Sequence, residues 1–524
     1  MNNTNQIHIS LLVTSDVHGY IFPTNYIDHT ERHLGLAKIA TIVKQKRKQG
    51  HVLLMDNGDL IQGSPLTFYH AKYKANTPNP MIKIANQLNY RASVFGNHEF
   101  NYGLDYLQSV MNESNFPWLS ATVLDEQGEP AFGKPYIIEN IDGVKVAILG
   151  ITTHYIPNWE DPKNIKGLTF SDALETTKTW VNKIRTNEQP DVLVVSYHGG
   201  FERDLETGEP TEELTGENQG YQICMEIEGI DVLLTGHQHR SIADYLNNVA
   251  VVQPSNNGQL LGEVKLSLQK NEDKWELKQC QPALISVDEE IQADPEVLLL
   301  AKEYEEQTQA WLDTPIGEID RDMLITDPFQ TRLQDSPLIE FINSVQMDVA
   351  GVTISNTSLF NNTSPGFKQK VTMRDIVSNY VYPNTLKVIR ITGKDIKDAL
   401  EKSATYFEID ESGEISVNPA YVEPKPQHYN YDMWEGIEYE LKISNPVGER
   451  VTMLHYQGQP IDYKAEYDVV MNNYRAGGGG NFHMFQGNPV VKDIPTDMTE
   501  LIANYIMKQG KINATCNQNW KITK

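Results

Sequence analysis

The sequence predicts an α/β fold in its first half and a mixture of strands and helices in its second half. Short apolar runs alternate with amphipathic stretches up to about residue 285, a pattern typical of α/β domains. At 524 residues the chain is too long for one ordinary hydrophobic core, and its 40% hydrophobic residues are enough to build two. We therefore expect two domains.

Five apolar runs predict the strands of the first domain. They are "HISLLVTSDVHG", "HVLLMDNGD", "ASVFGNHEF", "DVLVVSYHGG" and "DVLLTGHQH", and each leads directly into Asp, Asn or His. Between them, "LGLAKIATIVKQKRKQG" and "SDALETTKTWVNKIRTNEQ" repeat apolar residues at helical spacing. Because the carboxyl ends of parallel strands share one edge of a sheet, we expect the five polar clusters to meet in space.

A change of pattern near residues 283–293 marks the end of the first domain. There "ADPEVLLLAKEYEEQTQAWLD" predicts one long helix rich in Glu and Lys. In the second half, "NTLKVIRITG" and "AEYDVVMNNY" predict strands, and "GKDIKDALEKSATY" predicts a helix. We place the first domain at residues 1–285, a linker helix at 286–314 and the second domain at 315–524.

Composition narrows the classes of function. A net charge of -26 without an acidic tail argues against binding of nucleic acid polymers, which are held by stripes of Lys and Arg. Three distant cysteines, Cys224, Cys280 and Cys516, argue against a disulfide framework. No apolar run reaches the ~20 residues of a membrane helix, and the N-terminus lacks a signal peptide pattern. The sequence as it stands indicates a cytoplasmic protein with no membrane partner, or an exported protein if a leader was removed.

Seven side chains in the polar clusters are candidate metal ligands. Singly, such a residue at a strand end is more often a cap or a surface group. Together, oxygen and imidazole donors suit Zn, Mn, Fe or Co, and seven donors exceed what one ion needs. Two divalent ions sharing one carboxylate would explain this number, and Asp59, directly after Gly58, is the natural bridge. The candidates are Asp16, His18, Asp59, Asn97, His198, His237 and His239.

The order of these motifs resembles that of the calcineurin-like metallophosphoesterases. The motifs are "DVHG", "GD", "GNHE", a distant His and "GHQH", and the chain is similar to the 5'-nucleotidase and 2',3'-cyclic-nucleotide phosphodiesterase group. The resemblance implies a four-layer α-β-β-α sandwich, a linker helix and a C-terminal α/β nucleotide-binding domain. It also implies two metals, one held by Asp16, His18, Asp59 and His239, the other by Asp59, Asn97, His198 and His237.

The chemistry of such a pair suits phosphate ester hydrolysis. Two divalent ions lower the pKa of a bridging water, which attacks phosphorus in line with the leaving oxygen. His98, beside Asn97, would stabilise charge on the phosphate or protonate the leaving oxygen. We interpret Glu99 as a scaffold residue. Asn101 stands where 5'-nucleotidases typically carry Asp, so it can orient His98 but supplies no negative charge, and we expect His98 to be less readily protonated.

Two tyrosines in the second domain are candidates for binding a nucleotide base. Tyr382 in "YVYPNTL" and Tyr474 in "NNYRAGGGG" are similar to the aromatic residues that sandwich the base in this family, with Asn384 as a polar contact. Stacking on an aromatic face is worth ~1–3 kcal/mol per base, and a Gly run allows close approach of the backbone. Judged by residue type alone, a tyrosine is more often core or surface, and the Gly run could be a simple turn.

Three sequence features bear on the substrate. Segment 355–364, "SNTSLFNNTS", lacks the Arg that 5'-nucleotidases usually carry there for the phosphate. An Asp that often follows "NYRAGG" in 5'-nucleotidases is also absent, and Gly480 stands near its place. The segment "YNYDMWEGIEYEL" is similar to the cyclic phosphodiesterase branch. We expect a phosphoric ester hydrolase for small nucleotides, specifically a 2',3'-cyclic-nucleotide 2'-phosphodiesterase and 3'-nucleotidase. The alternatives are a 5'-nucleotidase or UDP-sugar hydrolase and, in another class, a catalytically silent nucleotide-binding protein. The complete ligand set argues against the silent protein.

Overall fold

The computed structural model describes residues 5–158, 160–212, 214–272, 274–382, 384–494 and 496–524. The chain forms two compact units, Met1–Thr308 and Gln309–Lys524, and the helix Pro295–Leu312 contains the boundary between them. All three cysteines are free, as the composition predicts. Across the described ranges, no helix combines the length and apolar character needed to cross a membrane.

Two six-stranded sheets form the centre of the N-terminal unit. Neighbouring central strands pair in parallel, and antiparallel strands lie toward the edges. The first sheet has the order Lys274–Ser286, Leu260–Asn271, Gln6–Thr14, His51–Asp56, Ala92–Val94, Trp118–Leu119. The second has the order Ser241–Leu246, Val249–Pro254, Val232–Leu234, Val192–His198, Val144–Thr152, Tyr136–Ile141, and a further pair joins Val123–Leu124 to Thr169–Phe170.

Apolar side chains from both sheets share one core, so the sheets pack face to face. This core includes Leu11 and Met55 from the first sheet and Val194 from the second. On its other face the second sheet packs against helices through residues such as Leu193 and Val181. Central strands buried on both faces must be apolar throughout, which explains continuous runs such as "DVLVV". The helices span Leu36–Arg47, Pro65–Tyr73, Pro80–Gln87, Leu104–Glu113, Ala173–Asn187 and Gly220–Glu226.

The predicted α-β-β-α layering is confirmed, with one correction to the expected strand arrangement. The five strands that carry polar clusters do not belong to a single sheet. Three of them lie in the first sheet, and Val192–His198 and Val232–Leu234 lie in the second. Hydrophobic periodicity marks a strand but not its neighbours, so sequence alone could not divide the strands between two packed sheets.

The C-terminal unit is built around a five-stranded mixed sheet with apolar clusters on it. Its strand order is Asp432–Glu435, Ile354–Ser358, Glu466–Asn472, Leu386–Thr392, Val490–Ile494. Smaller sheets contain Gln459–Pro460, Val451–Tyr456, Glu438–Lys442 and Trp520–Thr523; Lys370–Thr372, Pro315–Ile319 and Lys511–Ile512; Met323–Leu324 and Gly366–Phe367; Phe407–Ile409 and Ile415–Val417. The helices span Pro328–Leu333, Pro337–Ala350, Met373–Asn379, Gly393–Ala404, Asn473–Ala476 and Met498–Gln509.

Local sequence explains where several of these helices begin and end. The predicted helix in "GKDIKDALEKSATY" begins with a capping box, in which Thr392 and Asp395 satisfy each other's backbone N–H groups. The helix Pro337–Ala350 is capped by Ser336 and ends at Gly351, whose φ of 75° suits glycine. The strands predicted in "NTLKVIRITG" and "AEYDVVMNNY" are also present as antiparallel neighbours.

Buried carboxylates in the C-terminal unit make its stability depend on pH. Burial, together with nearby Asp335 and Glu340, raises the pKa of Glu435 from 4.5 to about 8. A carboxyl whose pKa is raised in the folded state contributes fully to the free energy of unfolding below about pH 4.5. This contribution is lost as pH rises toward 8, at ~1.4 kcal/mol per pH unit. We expect Glu435→Gln to remove much of this loss, measured from urea unfolding of the whole protein at about pH 5 and 8. The exposed neighbour Glu438 supplies the control Glu438→Gln, and equal pH dependence in all three proteins would contradict the prediction.

Candidate metal centre

The polar residues at the ends of the five strands converge in the N-terminal unit. All seven predicted ligands lie there, and their donor atoms form overlapping groups. The ligand atoms of Asp16, His18 and His239 lie within 4.8 Å of one another, as do those of Asp59, His198 and His237. Asn97 joins the second group through contacts with both of its histidines. The expectation that the clusters meet in space is therefore confirmed.

The first group contains two histidines and a carboxylate. The Nε2 atoms of His18 and His239 lie 3.1 Å apart, and the Nε2 atom of His239 lies 3.5 Å from Asp16 Oδ1. Two imidazole nitrogens directed at one another beside a carboxylate oxygen form a donor set that suits a divalent cation.

The second group surrounds the side chain of Asn97. Its Oδ1 atom lies 2.9 Å from His237 Nδ1 and 3.3 Å from His198 Nε2. Asp59 lies between the two groups, because its Oδ2 is 3.3 Å from His198 Nε2 and 4.0 Å from His18 Nε2. This position suits a carboxylate shared by two ions.

The backbone at these positions is strained. Asp16, His18, Asp59, His237 and His239 have φ values of 52°, 50°, 56°, 65° and 58°. Non-glycine residues rarely adopt this left-handed conformation, which costs ~1–3 kcal/mol per residue and is concentrated at functional sites. Tight packing of the loops accompanies the strain. A Cβ at Gly96 would overlap Asp59 Oδ1, and one at Gly58 would lie 2.6 Å from His198 Nδ1.

Backbone carbonyl groups orient two of the histidine rings. Nδ1 of His198 lies 2.7 Å from the carbonyl oxygen of Asn57, and Nδ1 of His18 lies 3.0 Å from that of Gln62. A carbonyl only accepts, so each Nδ1 carries the proton and each Nε2 faces the other donors of the site.

The buried carboxylate of Glu99 is part of the scaffold, as predicted. It accepts hydrogen bonds from the backbone N–H groups of Asp59 and Gly96 at 2.8 and 2.6 Å, and from those of Leu60 and Ile61 at 2.8 and 3.3 Å. These four bonds tie the loop after the second strand to the loop after the third. Glu99 therefore holds the shape of the site without entering it.

Glu217 is a site residue that sequence reasoning missed. Its Oε1 lies 2.8 Å from His237 Nε2, which leaves Nδ1 of that ring facing Asn97. Glu217 lies in a loop before the helix Gly220–Glu226 and outside every motif. Nothing in its sequence neighbourhood distinguishes it from an ordinary surface glutamate.

The electrostatics of the site favour ionised carboxylates. Burial opposes charge on Asp59, but His198 and His98 outweigh it and lower the pKa of Asp59. Burial lowers the pKa of His18 to about 3, so this ring is neutral at pH 7. Burial also acts against charge on His198, yet Asp59 raises the pKa of His198 to about 10, so a cation arriving there displaces a proton.

His98 and Asn101 are in contact beside this site. His98 Nδ1 lies 2.7 Å from Asn101 Oδ1, and the backbone N–H of His98 donates to Asp59 Oδ1 at 2.9 Å. Asn101 Nδ2 donates in turn to Glu160 Oε2 at 2.6 Å. Sequence reasoning ended at Asn101 and did not find this carboxylate, which lies 59 positions further along the chain.

In the C-terminal unit, Tyr382 and Tyr474 each contact a third tyrosine. The ring centroids of Tyr382 and Tyr429 lie 6.2 Å apart, and those of Tyr429 and Tyr474 lie 6.4 Å apart, with both pairs nearly perpendicular. The ring of Tyr474 packs on Gly479, where an added Cβ would lie 2.6 Å from it. The Gly run is therefore a packing surface. Tyr429 was not among the predicted site residues.

Buried arginines support the loops around these tyrosines. Arg475 forms an ion pair of 2.8 Å with Asp432 and donates to the carbonyl oxygen of Tyr429 at 2.8 Å. Arg332 donates to the carbonyl oxygen of Leu359 at 2.8 Å, so it lies beneath segment 355–364, which itself lacks an Arg. The backbone carbonyl oxygen of Asn384 accepts a hydrogen bond from the N–H of Met498 at 2.8 Å, which anchors the backbone at Asn384.

Known proteins match both units of the chain. Residues 9–241 match the family described as calcineurin-like phosphoesterase, and residues 315–487 match the 5'-nucleotidase C-terminal domain. A crystal structure from Staphylococcus aureus, described as a provisional 5'-nucleotidase in complex with alpha-ketoglutarate, is 36% identical. It superimposes with a TM-score of 0.91 and covers 99% of this chain and 100% of its own. The chain belongs to the calcineurin-like phosphoesterases.

Curated relatives of this phosphoesterase act on nucleotides according to their names. The trifunctional nucleotide phosphoesterase YfkN of Bacillus subtilis is 28% identical over 99% of this chain, which spans 39% of that protein. The 2',3'-cyclic-nucleotide 2'-phosphodiesterase/3'-nucleotidase of Haemophilus influenzae is 28% identical over 98% of this chain and 87% of its own length. Membership of the family makes the chain a phosphoric ester hydrolase and implies divalent metal ions, which the donor set described above fits.

The central position of Asp59 in this phosphoesterase leads to a prediction about metal content. Because its carboxylate lies between both donor groups, we expect Asp59→Asn to lower the affinity of each group for a divalent ion by ~10-fold or more. Elemental analysis after reconstitution with Mn or Zn measures the content per chain. Asp244→Asn changes an exposed aspartate and serves as the control. Full metal content in Asp59→Asn would contradict a shared carboxylate.

Proposed function

We propose that this phosphoesterase opens 2',3'-cyclic nucleotides and then removes the 3'-phosphate. The observation that carries the proposal is similarity over nearly the whole chain to three proteins named for these two activities, each 28% identical over 98–99% of the chain. The protein UshA of Yersinia enterocolitica has a lower identity, 24% over 97% of this chain.

We assign the metal ligands as the sequence predicts. Asp16, His18 and His239 would hold one ion, Asn97, His198 and His237 the other, and Asp59 would serve both. Bound divalent ions would activate water and neutralise charge on the phosphate. The contacts among these donors and their strained backbone support the assignment. We assign the reaction to the domain at residues 1–285 and nucleotide binding to the domain at 315–524, joined by the helix within 286–314.

His98 is the group we assign to proton transfer. A nitrogen of its ring lies within 4.8 Å of ligand atoms of His18 and Asp59, so it reaches the site. Because Nδ1 contacts Asn101, Nε2 is the nitrogen available to the substrate. In the first reaction, water adds to phosphorus, the bond to the ribose 2'-oxygen breaks, and His98 delivers a proton to that oxygen. The product is a 3'-nucleotide, which loses phosphate when water breaks the second ester bond.

Tyr382 and Tyr474 are the residues we assign to the nucleotide base, with Asn384 as a polar partner. Both residues are partly exposed, and both rings share the neighbour Tyr429. A flat aromatic surface binds any base by stacking, and Asn384, whose backbone is held by Met498, would present a group for its polar edge. Tyr429 belongs to the same aromatic group, so we add it to the proposed base site.

The proposed function is tested with a panel of four substrates in the presence of Mn. We expect hydrolysis of 2',3'-cyclic AMP and 3'-AMP, with transient 3'-AMP before adenosine when the cyclic substrate is supplied. Chromatography of the products over time measures this order, and 5'-AMP and a UDP-sugar complete the panel. Chelation with EDTA should stop every reaction.

The same panel tests the competing function. Its support is the Staphylococcus aureus structure described as a provisional 5'-nucleotidase, which is 36% identical. Rapid release of phosphate from 5'-AMP, or cleavage of the UDP-sugar, with the cyclic substrate untouched would assign the protein to that alternative. No turnover of any substrate in the metal-loaded protein would favour the silent nucleotide-binding protein.

The tyrosines lead to a separate prediction about binding. We expect Tyr382→Ala or Tyr474→Ala to raise KM for 3'-AMP by ~5-fold or more, because a stacked base contributes ~1–3 kcal/mol. Hydrolysis of bis-p-nitrophenyl phosphate, which has no base, should stay within about twofold. Tyr463→Ala, at an exposed tyrosine in the same unit, is the matched control. Equal losses on both substrates would contradict a role in base binding.

A further inference from the structure

A chain of three side chains extends from the metal centre into the protein. His98 Nδ1 lies 2.7 Å from Asn101 Oδ1, and Asn101 Nδ2 lies 2.6 Å from Glu160 Oε2. Asn164 Nδ2 also donates to the backbone carbonyl oxygen of Asn101 at 3.2 Å. The loop that carries Glu160 and Asn164 therefore bonds to both the backbone and the side chain of Asn101.

The directions of these hydrogen bonds are set by Glu160. Its Oε1 accepts from the backbone N–H of Asp161 at 2.8 Å and from Asn164 Nδ2 at 2.9 Å, and its Oε2 accepts from Asn101. Every partner is a donor, which suits a carboxylate because an ionised carboxylate can only accept. The side chain of Asn101 must therefore present its NH₂ group (Nδ2) to Glu160 and its amide oxygen (Oδ1) to His98.

We infer that Glu160 is a positioning residue, which fixes the amide of Asn101 and thereby places the proton of His98 on Nδ1. With Nδ1 donating to Asn101, Nε2 is free to accept a proton and to deliver it. A rotated Asn101 amide would direct NH₂ at Nδ1, force the neutral ring to carry its hydrogen on Nε2, and prevent it from taking up another proton. The catalytic consequence rests on the proposed role of His98, whereas the placement of the proton does not.

The same geometry explains why residue 101 is Asn in this chain. An Asp at this position would place a second carboxylate 2.6 Å from Glu160 Oε2, where two negative groups repel. Exchanging the amide and the carboxylate between positions 101 and 160 should restore the chain of hydrogen bonds. A Gln at 160 keeps its oxygen toward Asp161 and Asn164 and turns its NH₂ toward residue 101, where a carboxylate can accept it.

The test is a double-mutant cycle on the metal-loaded enzyme. We expect Glu160→Gln to lower kcat by ~10-fold or more because His98 takes the wrong tautomer, and Asn101→Asp to lower it by a similar factor because two carboxylates repel, with KM within about twofold in both. The double variant should return to within about threefold of the unmodified enzyme. Asp105→Asn, at an exposed position on the next helix, is the control for activity. Multiplicative losses in the double variant would overturn the inference.

A spectroscopic measurement separates this inference from the choice of substrate. In Zn-loaded, ¹⁵N-histidine-labelled protein, the His98 signals are identified by their loss in His98→Asn, and their shifts show which nitrogen carries hydrogen. We expect Nδ1–H in the unmodified protein and in the double variant, and Nε2–H in Glu160→Gln. Elemental analysis should show equal metal content in all variants. An unchanged tautomer in Glu160→Gln would overturn the positioning role even if the substrate panel succeeds, and a changed tautomer would support it even if the panel fails.

Discussion

The structure of the active centre depends on how one carboxylate, that of Asp59, is held. Its side chain stands between two groups of donors, each of which combines residues from both sheets, and its backbone is kept in a left-handed conformation. Glu99 accepts hydrogen bonds from the backbone N–H groups of Asp59 in this loop and of Gly96 in the next one, and Gly96 leaves room for the carboxylate oxygen. The packing of sheet on sheet is what brings the two donor groups within reach of the same residue.

Much of this arrangement could be predicted from the sequence, because an apolar run followed directly by polar residues marks the end of a strand. Apolar runs that lead into Asp, Asn or His indicated the seven candidate donors, and the segment "GKDIKDALEKSATY" predicted a helix that is present. The division of strands between two sheets was not visible, since periodicity reports burial and not pairing. Glu160 and Glu217 were not visible for a similar reason. Each meets its partner through long-range folding, and no local pattern marks it.

Tyr382 and Tyr474 show what a family motif can and cannot predict about a site. Their positions follow from the motifs, but their surroundings do not: Tyr429 comes from a different loop, and Arg475 ties that loop to the Gly run through Asp432 and backbone carbonyl groups. The tyrosines that we propose for base binding are thus supported by buried charged side chains from other parts of the chain. A sequence comparison restricted to the tyrosines would overlook this support.

Gly58 and Gly96 impose a condition on how sequences of this kind can diverge. The space that a Cβ would need at Gly96 is filled by an oxygen of Asp59, and at Gly58 the ring of His198 stands 2.6 Å away. Any other residue at either position would press on a donor side chain and on the backbone of the facing loop. In evolutionary terms, a single substitution at either glycine would let a descendant keep all seven donor residues and lose their present geometry.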